Sequence, residues 1–136
     1  MPIFLTVLGE PASKANSRRL VSRGGKPLFI KSAKALSYAD AFNLQIPTIN
    51  PLLTGELRLD CWIYYASQRP DLDESLILDL LQGKVYANDR QVRERHVYHY
   101  IDRAQPRVTI LLRERDSGAG LVEERNLSEL YGRLRR

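Results

Sequence analysis

The chain reads as an α+β protein, a mixed β-sheet with flanking helices in a single domain, and three features predict it. Residues 56–66 alternate apolar and polar side chains with a period of two, as a half-buried strand does. Residues 33–45 and 74–82 instead carry apolar residues at helical spacing. These stretches follow one another without a regular βαβ rhythm, which points to a mixed sheet with helices packed on it.

Each element has its own signal. Residues 2–8 read as a strand that ends in a turn at Gly9-Glu10-Pro11. Residues 12–27 form a basic loop with a hairpin tip at Gly24-Gly25, and Phe29-Ile30 make a short strand. Ser32 is the expected N-cap of a helix over 33–45. Leu36, Ala39, Phe42, Asn43 and Ile46 trace its inner face, and Pro47 stops it. In the strand at 56–66, Leu57, Leu59, Cys61 and Ile63 point one way; Glu56, Arg58, Asp60 and Trp62 point the other. Asp73 is the expected cap of the helix over 74–82, Leu76, Ile77, Leu80 and Leu81 its buried stripe, and Gly83 its C-terminal stop. Residues 91–100 and 106–113 read as two further strands, with Val108, Ile110 and Leu112 on one face of the last. Beyond them, Leu127, Leu130, Tyr131 and Leu134 recur at helical spacing. The chain therefore divides into a body, 1–113, and a tail, 114–136, with a short amphipathic helix.

A chain of 136 residues buries a sizeable core without a disulfide or metal staple. Its one cysteine, Cys61, alternates with core residues, so it is expected to be buried and inert. A lone cysteine fits a reducing compartment. The N-terminus reads as a strand rather than a signal peptide. No apolar run approaches the roughly 20 residues of a membrane span. The expectation is a cytoplasmic protein with no membrane association.

The net charge of +5 favours a polyanionic partner, and its distribution says more. Residues 11–35 hold Lys14, Arg18, Arg19, Arg23, Lys26, Lys31 and Lys34, with no Asp or Glu. Such a cluster is either a solvated basic face or an arm that contacts phosphate. The glycine tip within it favours the arm.

The most informative stretch is Arg69-Pro70-Asp71-Leu72-Asp73-Glu74. In extended backbone, residues two apart face the same side, so the carboxylates of Asp71 and Asp73 can converge. Asp89 follows the helix, and a fold-back would bring it to the other two. Three clustered carboxylates repel one another unless a cation sits among them. Hard oxygen donors select magnesium, or manganese. Such an ion serves phosphodiester hydrolysis, and it inverts the local sign of an acidic site that must meet phosphate. The alternative reading of Asp-x-Asp at a helix start is a cap and dipole partner, nothing more.

The block Arg69-Pro-Asp71-Leu-Asp73, an apolar helix with Asp79-Leu80-Leu81 and Gly83, then Val85-Tyr86-Ala87-Asn88-Asp89-Arg90-Gln91-Val92, resembles the core signature of RusA-type Holliday junction resolvases. The opening Gly9-Glu10-Pro11-Ala12-Ser13-Lys14 through Arg18 is similar to the family's basic opening. The resemblance implies a homodimer that nicks opposite strands of a four-way junction in DNA recombination and repair, with magnesium. A two-fold dimer suits a near two-fold substrate. By position, Asp71, Asp73 and Asp89 would be the metal-binding catalytic acids. Glu94 would be an outer ligand or a structural partner. Lys14, Arg18, Arg19, Arg23, Lys26, Lys31 and Arg69 would contact DNA. The family's helix lysine has no counterpart at Ser75, Leu76 or Ile77, Asn88 stands for the first acid of a pair, and His99 stands for a lysine on the next strand. Lys84 is the candidate replacement for the lost charge. Two alternatives follow from these departures: a branched-DNA-binding homologue that cuts poorly, or an endonuclease acting on flaps or forks. His96 and His99 are three apart, so on a strand they face opposite sides and share no metal.

Overall fold

The computed structural model describes residues 2–12, 18–69 and 72–115; along the strands at 18–23 and 26–31 it describes the backbone. The element order is β1 (Ile3–Leu8), β2 (Arg18–Arg23), β3 (Lys26–Lys31), α1 (Ala33–Gln45), β4 (Leu57–Tyr65), α2 (Ser75–Leu81), a 3-10 turn (Asp89–Gln91), β5 (Val92–Ile101) and β6 (Arg107–Glu114). One sheet has the order β1-β6-β4-β5, and β2 and β3 form a separate antiparallel hairpin. β6 is antiparallel to both neighbours, while β4 and β5 are parallel. The mixed sheet with helices is the expected fold class. Parallel neighbours need a crossover, and the segment carrying α2 supplies it. β4-α2-β5 is thus one βαβ unit within an otherwise antiparallel sheet.

The period-two pattern does what it predicts. Leu57, Leu59, Cys61 and Ile63 of β4 are fully buried, as are Val108, Ile110 and Leu112 of β6 and Val7 of β1. Phe42 of α1 and Ile77 of α2 join them in one core. On the other face, directly paired rings stack across β4 and β5: Trp62 on Tyr98 at 5.9 Å and Tyr64 on Tyr100 at 5.1 Å. Asp60 also lies on that face yet is buried, and its carboxylate receives Arg58 at 3.1 Å and Arg113 at 3.8 Å. Cys61 is buried as expected; burial, with the nearby charge of Glu74, pushes its thiol up to about 12 and keeps it protonated.

The helices depart from the expected pattern in phase. Ser32 caps α1 through its Oγ, which accepts from the Ala35 N–H at 3.2 Å. The inner face is Ala35, Tyr38, Ala39, Phe42 and the following Ile46, whereas Leu36 and Asn43 are exposed. Ala39, Phe42 and Ile46 are buried as expected, but Ala35 and Tyr38 take the places given to Leu36 and Asn43, with the Tyr38 ring packing against Phe42 at 6.2 Å. Gln45 fixes the far end of α1 to β1, accepting from the Leu8 N–H at 2.7 Å and donating to the Leu8 carbonyl at 3.0 Å. α2 buries Leu76, Ile77, Leu78 and Leu81, with Leu80 half-buried. It stops at Gly83, whose φ of 84° suits the left-handed position just past a helix end. The expected tail helix lies outside the described residues.

Ile77 is fully buried where α2 meets the sheet. Ile77→Ala is expected to cost about 2–5 kcal/mol. In a urea titration the midpoint falls and the slope is unchanged.

Candidate active site

β4 and β5 are parallel, so their carboxyl ends lie at the same edge of the sheet, where open α/β sheets receive ligands. The Asp102 N–H donates to the Tyr65 carbonyl there at 2.8 Å. The chain leaving β4 runs through residues 66–74 before α2 begins, and this is the stretch that carries the acidic motif.

Two sets of contacts hold that stretch. Arg69 Nη1 donates to Glu10 Oε1 at 2.8 Å and to the Pro11 carbonyl at 2.6 Å. Its guanidinium also lies 4.5 Å above the Tyr65 ring. Glu10 Oε2 accepts from the Ala66 N–H at 2.6 Å, and Lys34 Nζ stands 3.8 Å from Oε1. Burial pushes the Glu10 carboxyl up. The Arg69 hydrogen bond, the Ala66 N–H and the charges of Arg69 and Lys34 outweigh it and hold the carboxyl below its ordinary value. At the other end of the stretch, Asp73 Oδ1 accepts from the Ser75 N–H at 2.9 Å and from Ser75 Oγ at 2.7 Å. The N-cap of α2 is therefore Glu74, not Asp73 as expected; Asp73 satisfies the first turn from one residue earlier, in an Asx-type contact.

Tyr65 connects the two anchors to β5. Burial raises its phenol, and the Asp73 backbone N–H and the Arg69 charge only partly offset this, so the hydroxyl stays protonated. It contacts His99 Nδ1 at 3.1 Å, and the two rings stack at 5.8 Å. His96, on the opposite face as expected, contacts Glu94 Oε1 at 3.2 Å instead. Beside this assembly a cleft of about 530 Å³ opens, bounded by Tyr65, Ser67, Gln68, Leu72, His99 and Tyr100.

Asp71 lies outside the described residues. Asp73 stands at the start of α2, whereas Asp89 stands past its end, with its N–H donating to Oε1 of the C-cap residue Gln82 at 2.9 Å. Seven helical residues lie between them, about 10 Å of rise. Asp73 and Asp89 therefore flank α2 along the chain. Among the described residues no three His, Cys, Asp or Glu side chains come close enough to hold a metal.

Lys84 also stands at the Asp89 end, where Nζ donates to the Ile46 carbonyl at 2.9 Å. Arg18, Arg19, Arg23, Lys26 and Lys31 fall on the hairpin, with Arg18 opposite Lys31 and Arg23 opposite Lys26; Lys14 is outside the described residues. Arg69, expected at phosphate, is buried on Glu10. Sequence reasoning missed Glu10, whose one signal was its place just before an acid-free basic stretch. It also missed Gln91, which accepts from the Ala87 and Asn88 N–H groups and donates to the Leu53 and Gly55 carbonyls, fixing the loop that carries Asp89.

A family model described as endodeoxyribonuclease RusA matches residues 9–113. The chain belongs to the RusA family. The matched span starts at the Gly9 turn and runs into β6, so it contains both partners of the Glu10–Arg69 pair and the whole βαβ unit. No curated protein matches the chain. RusA membership makes the protein an endodeoxyribonuclease.

Glu10→Gln is expected to remove a charged hydrogen-bond partner from buried Arg69 and cost about 2 kcal/mol. Because the folded carboxyl is held low, its contribution is fully present above the ordinary value of 4.5 and is lost as pH falls through the lowered one. Urea denaturation from pH 7 to pH 3 checks this: the gap between wild type and variant narrows as the pH drops.

Proposed function

We propose that the protein is a homodimeric, divalent-metal-dependent endonuclease that resolves Holliday junctions by paired phosphodiester hydrolysis, in DNA recombination and repair in the cytoplasm. The observation that carries this reading is the Asp73 carboxylate, held by Ser75 on a stretch clamped at the carboxyl end of β4, inside a RusA-family match. The body, residues 1–113, is the nuclease; the tail, 114–136, is a separate segment.

Asp71 and Asp73 are the donors of one copy. Asp89 stands on the other side of α2 in the chain, and we take the complete acid set to draw it from a second copy. A dimer with two-fold symmetry then carries two such sites, one for each strand to be cut. The donors are hard carboxylate oxygens, which fit magnesium, with manganese as the substitute. When bound, the ion supplies counter-charge at the phosphate and lowers the pKa of water. The protein's own work is to aim the carboxylates and keep their loop from collapsing onto the sheet. Lys14, Arg18, Arg19, Arg23, Lys26 and Lys31 bind the DNA arms through phosphate. Arg69 serves by holding the acidic stretch, and Lys84 by tying α1 to the Asp89 loop.

A second reading, a junction-binding homologue that cuts poorly, is favoured by one observation. The α2 position of Ile77, where the family carries lysine nearby, is wholly within the core.

The test is cleavage of a labelled four-way junction, with and without magnesium. Paired nicks that need the metal are expected, and Asp71→Asn or Asp73→Asn should slow them by more than about 100-fold while binding persists. Tight binding without cutting in either metal supports the second reading. Flap and fork substrates run alongside decide the substrate class. In binding assays, Arg18→Ala combined with Arg19→Ala should weaken junction affinity and flatten the slope of log K against log salt by about two.

A further inference from the structure

Phosphodiester cleavage needs acids, a cation and water; it does not need the cleft beside them to be apolar. Yet Leu72 is 51% exposed, Tyr100 46% and Ile101 54%, all three on the cleft wall. Other exposed apolar side chains, such as Phe4, Leu36 and Leu44, line no part of this cleft, whereas these three meet along it. The polar groups are few and placed at the edge. Ser67 and Gln68 are exposed on the rim. His99 has Nδ1 occupied by the Tyr65 hydroxyl, which leaves Nε2 for a ligand. Arg69 borders the cleft but its charge is matched by Glu10, so this is not a phosphate cradle.

A flat apolar wall with hydrogen-bonding groups along one rim is the complement of a nucleobase, which has π-faces and a polar edge. The volume of about 530 Å³ admits a base with its sugar. The position matters as much. Leu72, on the cleft wall, directly precedes Asp73, so the cleft adjoins the acidic stretch. Bases at a branch point are the least costly to unstack.

We propose that this cleft is a base-binding site. It takes one nucleotide splayed out beside the scissile phosphate, packs it on Leu72 and the outer face of the Tyr100 ring, and reads its edge with Gln68. The cleft thereby selects where along a junction the cut falls. This rests on the endonuclease reading above for its substrate, and the experiment separates the two.

The probe is 2-aminopurine, placed in turn at each nucleotide flanking the cut of a four-way junction, and also within an unpaired single strand. Full-length protein is used with calcium, which supports binding without turnover. A several-fold fluorescence rise at one junction position is expected. Tyr100→Ala and Gln68→Ala should each remove at least half of it while the anisotropy Kd stays within about threefold. In magnesium, Gln68→Ala should flatten the base preference at the cut, and Tyr100→Phe should retain it. Gln68 is exposed, so its variant keeps the test valid if Tyr100→Ala fails to fold. Wild type that cuts junctions, with no fluorescence response and an unchanged preference in both variants, overturns the base site and leaves the nuclease. A response on the single strand that depends on Gln68, from a protein that cuts no branched DNA, upholds the base site and removes the nuclease reading.

Discussion

The ion pair between Glu10 and Arg69 holds together parts of the chain that the sheet itself keeps apart. Glu10 follows β1 and Arg69 follows β4, and β6 lies between those strands. The pair closes over that end of the sheet, adds the Ala66 N–H to the same carboxylate, and brings in Lys34 from the first turn of α1. A nearly buried guanidinium without its carboxylate would be strongly destabilising. The placement of residues 66–69 is therefore set by this contact, and with it one wall of the cleft. Arg69 also lies on the Tyr65 ring, whose hydroxyl meets both Asp73 and His99. One side chain thus orders the acidic stretch from two directions.

The other constraint is the length of α2. A crossover between adjacent parallel strands must return the chain from the carboxyl end of β4 to the amino end of β5. Asp73 precedes this helix and Asp89 follows it, so the acids of one chain mark opposite ends of the unit. Gln82 and Gln91 both grip the Asp89 loop, which gives it a defined shape. Rigid fixation of two half-sets of carboxylates, each at its own end, is what a site completed between two copies requires.

Much of this was legible from local pattern. The alternation in β4, the Ser32 cap, the Gly24-Gly25 turn and the Gly83 stop each follow from nearest-neighbour rules, and the structure agrees with them. The phase of α1 was misread because Tyr38 was not counted as apolar, though its ring fills core space. The site was legible in composition but not in arrangement. Arg69 beside two aspartates in a basic chain looks like a phosphate contact, and its partner stands 59 residues away, where no local pattern could reveal it. The place of Asp89 relative to the other acids is likewise not a matter of local pattern. Sequence proximity says nothing of which end of a crossover helix a residue occupies.

The shared acid set is the claim on which the mechanism turns, and mixing two inactive variants tests it most directly. Asp73→Asn and Asp89→Asn are purified separately, combined to allow subunit exchange, and assayed on a labelled four-way junction with magnesium. If each site draws Asp73 from one copy and Asp89 from the other, the mixed dimer holds one site with both defects and one with none. The account predicts that mixing restores single-strand nicking that neither variant shows alone, without paired cuts. No recovery in mixtures shown to contain mixed dimers that bind the junction would contradict it and place all the acids of a site in one chain.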